Sequence, residues 1–274
     1  MQTIITLWSP GSYGDQARQV ILPQSRALYV PKNPDIVRKV VEENRVWIIP
    51  VSNPYWWEVW DAWSTLEDYR WDIIIAGSHI LTLDHSVVQR IGDVWKQIRT
   101  IISHPQAYRQ SEVALQKLYP GHTFVPSDST IGAPSIIQGS SEAAICSAAG
   151  LKANPELRDS YQIVREQISP TDNATKFVVI ATRESLWEVI DLPPSEVDIL
   201  RVALEDKPLQ FALKLLAIGQ IGGNIHEWSK AKANPGISSL YTALLITSRL
   251  PREICTPAWF ETMGIEPIPQ KEEI

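Results

Sequence analysis

The chain has 274 residues, of which 44% are hydrophobic and 20% are charged, so it can form two or three compact lobes and is not a disordered chain. Its 25 basic and 31 acidic residues give a formal net charge of −6, which excludes a general electrostatic attraction to nucleic acid or to an anionic membrane. The two cysteines, Cys146 and Cys255, support neither a disulfide framework nor a zinc site. The N-terminus has no signal-peptide pattern and no stretch approaches the ~20 apolar residues of a membrane span, so we expect a cytoplasmic protein.

The first two thirds of the chain alternate short apolar runs with amphipathic stretches, which predicts an α/β fold of parallel sheets covered by helices. The predicted strands are, in chain order, Ile4–Trp8, Ala27–Val30, Val46–Pro50, Trp71–Ala76, Ile98–Ser103, His122–Val125, Ala143–Cys146 and Lys176–Thr182. The predicted helices are residues 13–22, a segment that begins at Asn33, and residues 54–63, 105–118 and 130–138. No glycine-rich phosphate loop follows a strand, and the histidines lack metal-ligand spacing, so we expect neither a cofactor nor a metal.

The last third of the chain has a different order of elements. Pro193 and Pro194 break the preceding pattern, and we place a linker there. The elements that follow are predicted to be strand Val197–Leu204, helix Pro208–Ile218, strand Gly223–Ser229, strand Ser239–Thr247, helix Pro257–Met263 and strand Ile265–Ile268. This βαββαβ order predicts a small ferredoxin-like module at residues 195–274, after a larger domain at residues 1–188.

Three junctions before predicted helices carry clusters of polar residues, at Pro50–Pro54, Ser103–Gln106 and Ser127–Thr130. Each junction alone has the composition of an ordinary helix cap, since Ser, Thr and Asn are common at helix N-termini. If several met at one cleft, however, their backbone N–H groups would favour a small dianion. A fourth segment, Asn173–Phe177, adds an amide, a hydroxyl and an ammonium group at the start of an apolar strand.

Tryptophans are concentrated in one predicted helix. Trp56, Trp60 and Trp63 have helical spacing and fall on one face. Such a stripe is either part of the core or an aromatic wall beside a ligand.

In their order and spacing, these segments resemble the prephenate dehydratase family. The segments that carry the resemblance are Gly11–Gly14, Pro50–Pro54, Ser103–Ala107, Ser127–Thr130, Ala143–Ser147 and Asn173–Phe177. The resemblance covers roughly residues 1–185. It implies two α/β lobes around a cleft, as in type II periplasmic binding proteins, then a small ACT-like domain, in a homodimer or homotetramer.

The resemblance also implies a site for prephenate. Thr175 would be the hydroxyl near the reacting ring, while Asn53 and Gln106 would position the substrate. The other residues implied to bind the substrate are Ser12, Ser103, His104, Ser129, Thr130, Lys176 and Phe177. By residue type alone, His104 beside a proline at a helix start is also compatible with a simple cap.

The chain departs from the family pattern at several of these positions. Ser52 replaces the family's glutamate before the asparagine, and Lys176 replaces its arginine, which loses a bidentate donor pair. In the tail, Glu227–Lys230 stands where the family has a Glu-Ser-Arg-Pro effector motif.

These departures lead us to expect a prephenate decarboxylase of secondary metabolism, a lyase that protonates the ring diene and does not aromatise the ring. The alternative is a prephenate dehydratase, which gives phenylpyruvate, CO2 and water for phenylalanine biosynthesis and which the retained Thr175 favours. A third possibility is a non-catalytic module that binds a small molecule.

Overall fold

A computed structural model describes residues 3–7, 9–30, 42–55, 66, 69, 72–93, 97–203, 208–230 and 242–273. The strands are β1 (Thr3–Leu7), β2 (Arg26–Val30), β3 (Val46–Ser52), β4 (Ile74–Thr82), β5 (His85–Arg90), β6 (Thr100–Ser103), β7 (Thr123–Pro126), β8 (Glu142–Ser147), β9 (Tyr161–Arg165), β10 (Ala174–Ala181), β11 (Val197–Ala203), β12 (Ile225–Lys230), β13 (Thr242–Ser248) and β14 (Ile265–Pro267). The α-helices of these ranges are α1 (Tyr13–Ile21), α2 (Pro105–Leu118), α3 (Ala148–Ala153), α4 (Pro155–Ser160), α5 (Pro208–Gln220) and α6 (Pro257–Met263). None of these helices is long and apolar enough to cross a membrane.

The first lobe is built on a five-stranded sheet with the order β2-β1-β3-β10-β4. β1 pairs in parallel with β2 and β3, whereas β10 is antiparallel to both β3 and β4. The end of β3 and the start of β10 therefore meet at the same edge of the sheet. This edge faces the second lobe.

The second lobe is built on another five-stranded sheet, with the order β7-β6-β8-β5-β9. The chain enters this lobe after β4 and leaves it before β10, so the two lobes are joined by two crossings. The two-lobed α/β architecture implied by the sequence is confirmed, but the prediction of parallel sheets is wrong, since both sheets contain parallel and antiparallel pairs. β5 is buried along almost its whole length, including the polar residues His85, Ser86 and Gln89.

The C-terminal unit has the βαββαβ order that the sequence predicted, in an antiparallel sheet with the order β12-β13-β11-β14. α5 and α6 cover one face of this sheet. The other face packs on the first sheet, where Ile199 and Ile246 share a core cluster with Trp47 and Ile75. The division of the chain into domains at residues 1–188 and 195–274 remains our proposal.

Several predicted elements differ from those observed. The helix predicted at residues 130–138 is wrong: only a 3-10 turn, Ala133–Ile136, is present, because Gly132 and Pro134 disfavour an α-helix. The predicted strand Trp71–Ala76 lies too early, since β4 runs from Ile74 to Thr82. The sequence patterns also missed β5, β9, α3 and α4.

Two predicted features cannot be compared with the structure. The helix that begins at Asn33 and most of the helix at residues 54–63 lie outside the described residues. The tryptophan stripe lies outside them as well.

Candidate active site between the two lobes

Asn53, at the end of β3, holds a fixed orientation at the edge of the first sheet. Its Oδ1 accepts a hydrogen bond from the backbone N–H of Tyr55 at 2.9 Å. Its Nδ2 donates to the backbone carbonyl of Ala174, at the start of β10, at 3.2 Å. These two backbone partners tie the side chain to the turn that follows β3 and to the first residue of β10.

Asn53 also contacts the hydroxyl that the sequence singled out. Its Nδ2 donates to Oγ1 of Thr175 and to Oδ1 of Asn173, both at 3.0 Å. Because Nδ2 carries two hydrogens and meets three acceptors, these bonds are shared. Asn53 and Thr175 are only 2% and 4% exposed, so the contact is almost completely shielded from bulk water.

The second lobe extends this contact into a longer line of hydrogen bonds. Gln110 of α2 donates from Nε2 to Oδ1 of Asn53 at 2.9 Å, and its Oε1 lies 2.7 Å from Nε2 of His85. Nδ1 of His85 lies 2.7 Å from the hydroxyl of Tyr13, in the first turn of α1. We call these five residues, Tyr13, His85, Gln110, Asn53 and Thr175, the inter-lobe chain.

The titratable members of the inter-lobe chain are uncharged at neutral pH. Burial lowers the pKa of His85 to about 4, and the hydrogen bond with Gln110 opposes this shift only in part. Burial also raises the pKa of Tyr13, with further contributions from Cys146 and Asp84. The line is therefore a set of neutral donors and acceptors and contains no ion pair.

Gln106, the glutamine chosen from the sequence, is not part of the inter-lobe chain. It lies one turn before Gln110 on α2, and its backbone N–H donates to Nδ1 of His104 at 3.3 Å. His104 is thus the N-cap of α2, as its place before a proline at a helix start allowed. Burial lowers the pKa of His104, against the opposing effect of Asp128.

The predicted hydroxyl residues have different environments. Ser12 caps α1 by accepting from the backbone N–H of Asp15 at 3.3 Å. Ser129 accepts from the backbone N–H of Gly132 at 2.9 Å, and the partly exposed Thr130 follows it in the same turn. Ser103 is fully buried, and its Oγ has no hydrogen-bond partner among the described residues.

Lys176 and Phe177 do not join Thr175 in the inter-lobe chain. Along β10, Thr175 and Phe177 belong to the face that α1 covers, and Phe177 packs in the core with Ala17. Lys176 lies between them on the opposite face, where it pairs with Ile80.

Sequence reasoning missed three members of the inter-lobe chain, although weak signals were present for two of them. Gln110 lies four residues after Gln106, and therefore on the same face of the predicted helix. Tyr13 lies inside one of the segments that carried the family resemblance. His85 gave no signal, because its strand was not predicted.

Comparisons with known proteins identify relatives of this arrangement. A family model described as prephenate dehydratase matches residues 4–185. A bifunctional chorismate mutase/prephenate dehydratase of Enterobacter agglomerans is 26% identical over 169 residues, which is 61% of this chain and 42% of that protein. The chain thus spans less than half the length of this relative.

Solved structures with a similar fold cover more of the chain. A prephenate dehydratase of Arthrobacter aurescens in complex with L-Phe has a TM-score of 0.70 and 18% identity, over 90% of this chain and 80% of that one. GqqA, described as a novel type of quorum quenching acylase, has a TM-score of 0.73 and 18% identity, over 98% and 97% of the two chains. At such low identity these similarities establish the fold alone.

Proposed function

We propose that this chain, which belongs to the prephenate dehydratase family, converts prephenate into phenylpyruvate, CO2 and water. The observation that carries the proposal is the contact between Asn53 and Thr175. Because Oγ1 of Thr175 accepts a hydrogen bond from Nδ2 of Asn53, its own proton is available for another acceptor. The 4-hydroxyl of prephenate is such an acceptor.

The reaction requires one proton to be delivered at this position. The carbon–oxygen bond of the 4-hydroxyl breaks as that oxygen takes the proton and leaves as water. The bond between the ring and its carboxylate breaks at the same time, CO2 leaves, and the electron pair of that bond makes the ring aromatic. The hydroxyl of Thr175 can donate its hydrogen bond to the leaving oxygen and stabilise it as the proton is transferred. The threonine oxygen then takes back a proton from solvent, so one proton is consumed in each turnover.

The dehydratase replaces the decarboxylase that the sequence departures had suggested. The family model and the bifunctional relative both carry the name of the dehydratase, and they support that activity better. The retained hydroxyl of Thr175 supports it as well, since only dehydration needs an acid at the leaving 4-hydroxyl.

Two buried groups are proposed to receive the substrate's oxygens, one just before β10 and the other at the end of β6. Oγ of Ser103 and Nδ2 of Asn173 have no hydrogen-bond partner among the described residues. A buried polar group without a partner is unfavourable by about 1–3 kcal/mol, so each of these groups would gain from a hydrogen bond to a carboxylate or carbonyl oxygen of the substrate. The other residues expected from the sequence remain proposed contacts: Ser12, His104, Gln106, Ser129, Thr130, Lys176 and Phe177.

Proton NMR of the products tests the proposal. Purified protein is incubated with prephenate, and a protein-free sample measures the spontaneous reaction. We expect the aromatic signals of phenylpyruvate to grow with enzyme concentration, and to grow far more slowly with Thr175→Val. Olefinic signals with a retained ring hydroxyl would favour the decarboxylase, and unchanged prephenate would contradict both activities.

A further inference from the structure

Each hydrogen bond of the inter-lobe chain has a donor and an acceptor side, and two backbone groups allow these sides to be assigned. The N–H of Tyr55 can only donate, and the carbonyl of Ala174 can only accept, so Asn53 must turn Oδ1 to the first and Nδ2 to the second. The amide of Asn53 therefore has one orientation. That assignment does not depend on any choice between side-chain nitrogen and oxygen.

The orientation of Asn53 determines that of Gln110. The atom of Gln110 that lies 2.9 Å from Oδ1 of Asn53 must be a donor, and is therefore Nε2. Oε1 of Gln110 is then turned toward His85, 2.7 Å from Nε2 of the ring. Since Oε1 can only accept, Nε2 of His85 must carry a hydrogen.

The tautomer of His85 in turn assigns the proton of Tyr13. A neutral imidazole carries one hydrogen, so Nδ1 of His85 is left as an acceptor, and the burial that lowers its pKa to about 4 keeps the ring neutral. The hydroxyl of Tyr13 must then donate to Nδ1 at 2.7 Å. The carbonyl of Asp84, 2.9 Å from the same hydroxyl, competes for this single proton.

We propose that Tyr13 and His85 are positioning residues, which hold the amide of Gln110 so that its Nε2 donates to Asn53, and thereby keep Asn53 in the contact that leaves the proton of Thr175 free for the substrate. The use of the Thr175 proton by the substrate rests on the proposed function, but the orientation of the side chains in the inter-lobe chain does not. Neither Tyr13 nor His85 touches Thr175. Their effect passes through the two amides.

The hydroxyl of Tyr13 matters because it favours one tautomer of His85. Without it, the His85 proton can move from Nε2 to Nδ1, which leaves Nε2 facing Oε1 of Gln110 as a second acceptor. Gln110 can relieve that repulsion only by rotating its amide, which would bring Oε1 against Oδ1 of Asn53. Asn53 cannot follow, because its two backbone partners hold it.

Steady-state kinetics with matched variants test the proposal. His85→Gln places an amide donor close to the position of Nε2, whereas His85→Leu fills the volume without a donor. We expect kcat to fall roughly ten- to hundredfold in His85→Leu, and by about threefold or less in His85→Gln. Tyr13→Phe keeps the ring and should lower kcat roughly two- to tenfold. KM should change by no more than about twofold in each variant, because the substrate contacts are retained.

A purely structural role predicts a different result. His85→Gln and His85→Leu would then lose activity together, in proportion to the fraction of folded protein measured by thermal melting. That outcome, or full activity of His85→Leu, would overturn the proposal.

NMR of 15N-histidine-labelled protein tests the orientation without prephenate. The signal missing from the spectrum of His85→Gln belongs to His85. We expect Nε2 to be protonated and Nδ1 unprotonated at pH 7 in the parent, and a mixture of tautomers or the opposite one in Tyr13→Phe. A protonated Nδ1 in the parent would overturn the proposed assignment of donors and acceptors in the inter-lobe chain. If the tautomer is as expected but prephenate is not converted, the proposed function fails and the orientation stands.

Discussion

The first sheet meets the rest of the molecule along two junctions of opposite chemistry. At its edge, Asn53 joins Gln110 of the second lobe through directional hydrogen bonds. On its face, Trp47 and Ile75 pack against Ile199 and Ile246 of the C-terminal sheet, and all four side chains are at most 1% exposed. One junction is polar and the other is aliphatic and aromatic.

The difference separates two physical tasks. Apolar burial is strong but has no direction, so the face junction can hold the C-terminal unit in place without orienting any reactive group. Hydrogen bonds contribute less net free energy, but each requires a donor opposite an acceptor. We therefore expect changes at the edge to act mainly on catalysis, and changes on the face to act mainly on stability.

The largest expected effect is at the end of the polar junction. Thr175→Val keeps the shape of the side chain and removes its hydroxyl. If Thr175 supplies the proton, kcat with prephenate should fall roughly 10²- to 10⁴-fold, the contribution of a positioned acid. Thr175→Ser, which keeps the hydroxyl, should retain much more activity. Similar kcat values for the valine variant and the parent would remove Thr175 from the mechanism.

On the apolar junction, Ile246→Ala should act on stability. The side chain is fully buried, and truncating such a residue lowers the free energy of unfolding by about 2–5 kcal/mol. Ile254, which is 49% exposed, is the matched control, and Ile254→Ala should change stability by about 0.5 kcal/mol or less. Urea denaturation measures both. A large loss of kcat in folded Ile246→Ala would mean that the two junctions are coupled.

The polar junction should also contribute a pH dependence to stability. The pKa of His85 is about 4 in the folded protein, below its ordinary value of 6.5, so between these values the unfolded chain binds more protons. The stabilising contribution of neutral His85 is complete above pH 6.5 and is lost as the pH falls toward 4. Its size is about 3 kcal/mol.

The contribution of His85 is isolated by comparing the parent with His85→Gln. Their difference in unfolding free energy should change by this amount between pH 7 and pH 4, because other groups titrate equally in both proteins. A constant difference over that range would mean that burial does not keep His85 neutral.

The smallest expected effect distinguishes two glutamines on one helix. Gln110→Met removes two hydrogen bonds of the inter-lobe chain and should lower kcat roughly ten- to hundredfold. Gln106→Met keeps the backbone contact with His104 and should lower kcat by about threefold or less. The reverse order would favour the glutamine that the sequence motif suggested.

Most of the fold could be predicted from the sequence, because helices and strands are indicated by patterns of neighbouring residues. Short apolar runs, together with Pro208 and Pro257 at helix starts, predicted the βαββαβ tail, and all six of its elements are present. The errors occurred where local signals conflict. Residues 130–138 look helical by periodicity, but Gly132 and Pro134 reduce them to a 3-10 turn.

The candidate site was only partly accessible. The segments around Asn53 and Thr175 stand out in the sequence, and the structure brings these two side chains into contact. Gln110, the partner of Asn53 on α2, was not singled out from the sequence, which instead suggested Gln106 as a substrate-positioning residue. Sequence spacing places Gln106 and Gln110 on the same helix face, and only the position of α2 against the first lobe decides which of them reaches Asn53.

The sequence by itself determined the α/β class and the family, and it singled out Asn53 and Thr175 as candidates, because periodicity, turn residues and short motifs are properties of neighbouring residues. Only the tertiary structure brought Tyr13, His85 and Gln110 into one line with them. In the sequence, Tyr13 lies 72 positions from His85, and Asn53 lies 57 positions from Gln110. A hydrogen bond between residues so far apart in the sequence depends on how the two lobes pack against each other. The residues that donate and accept it follow no repeating pattern from which they could be predicted.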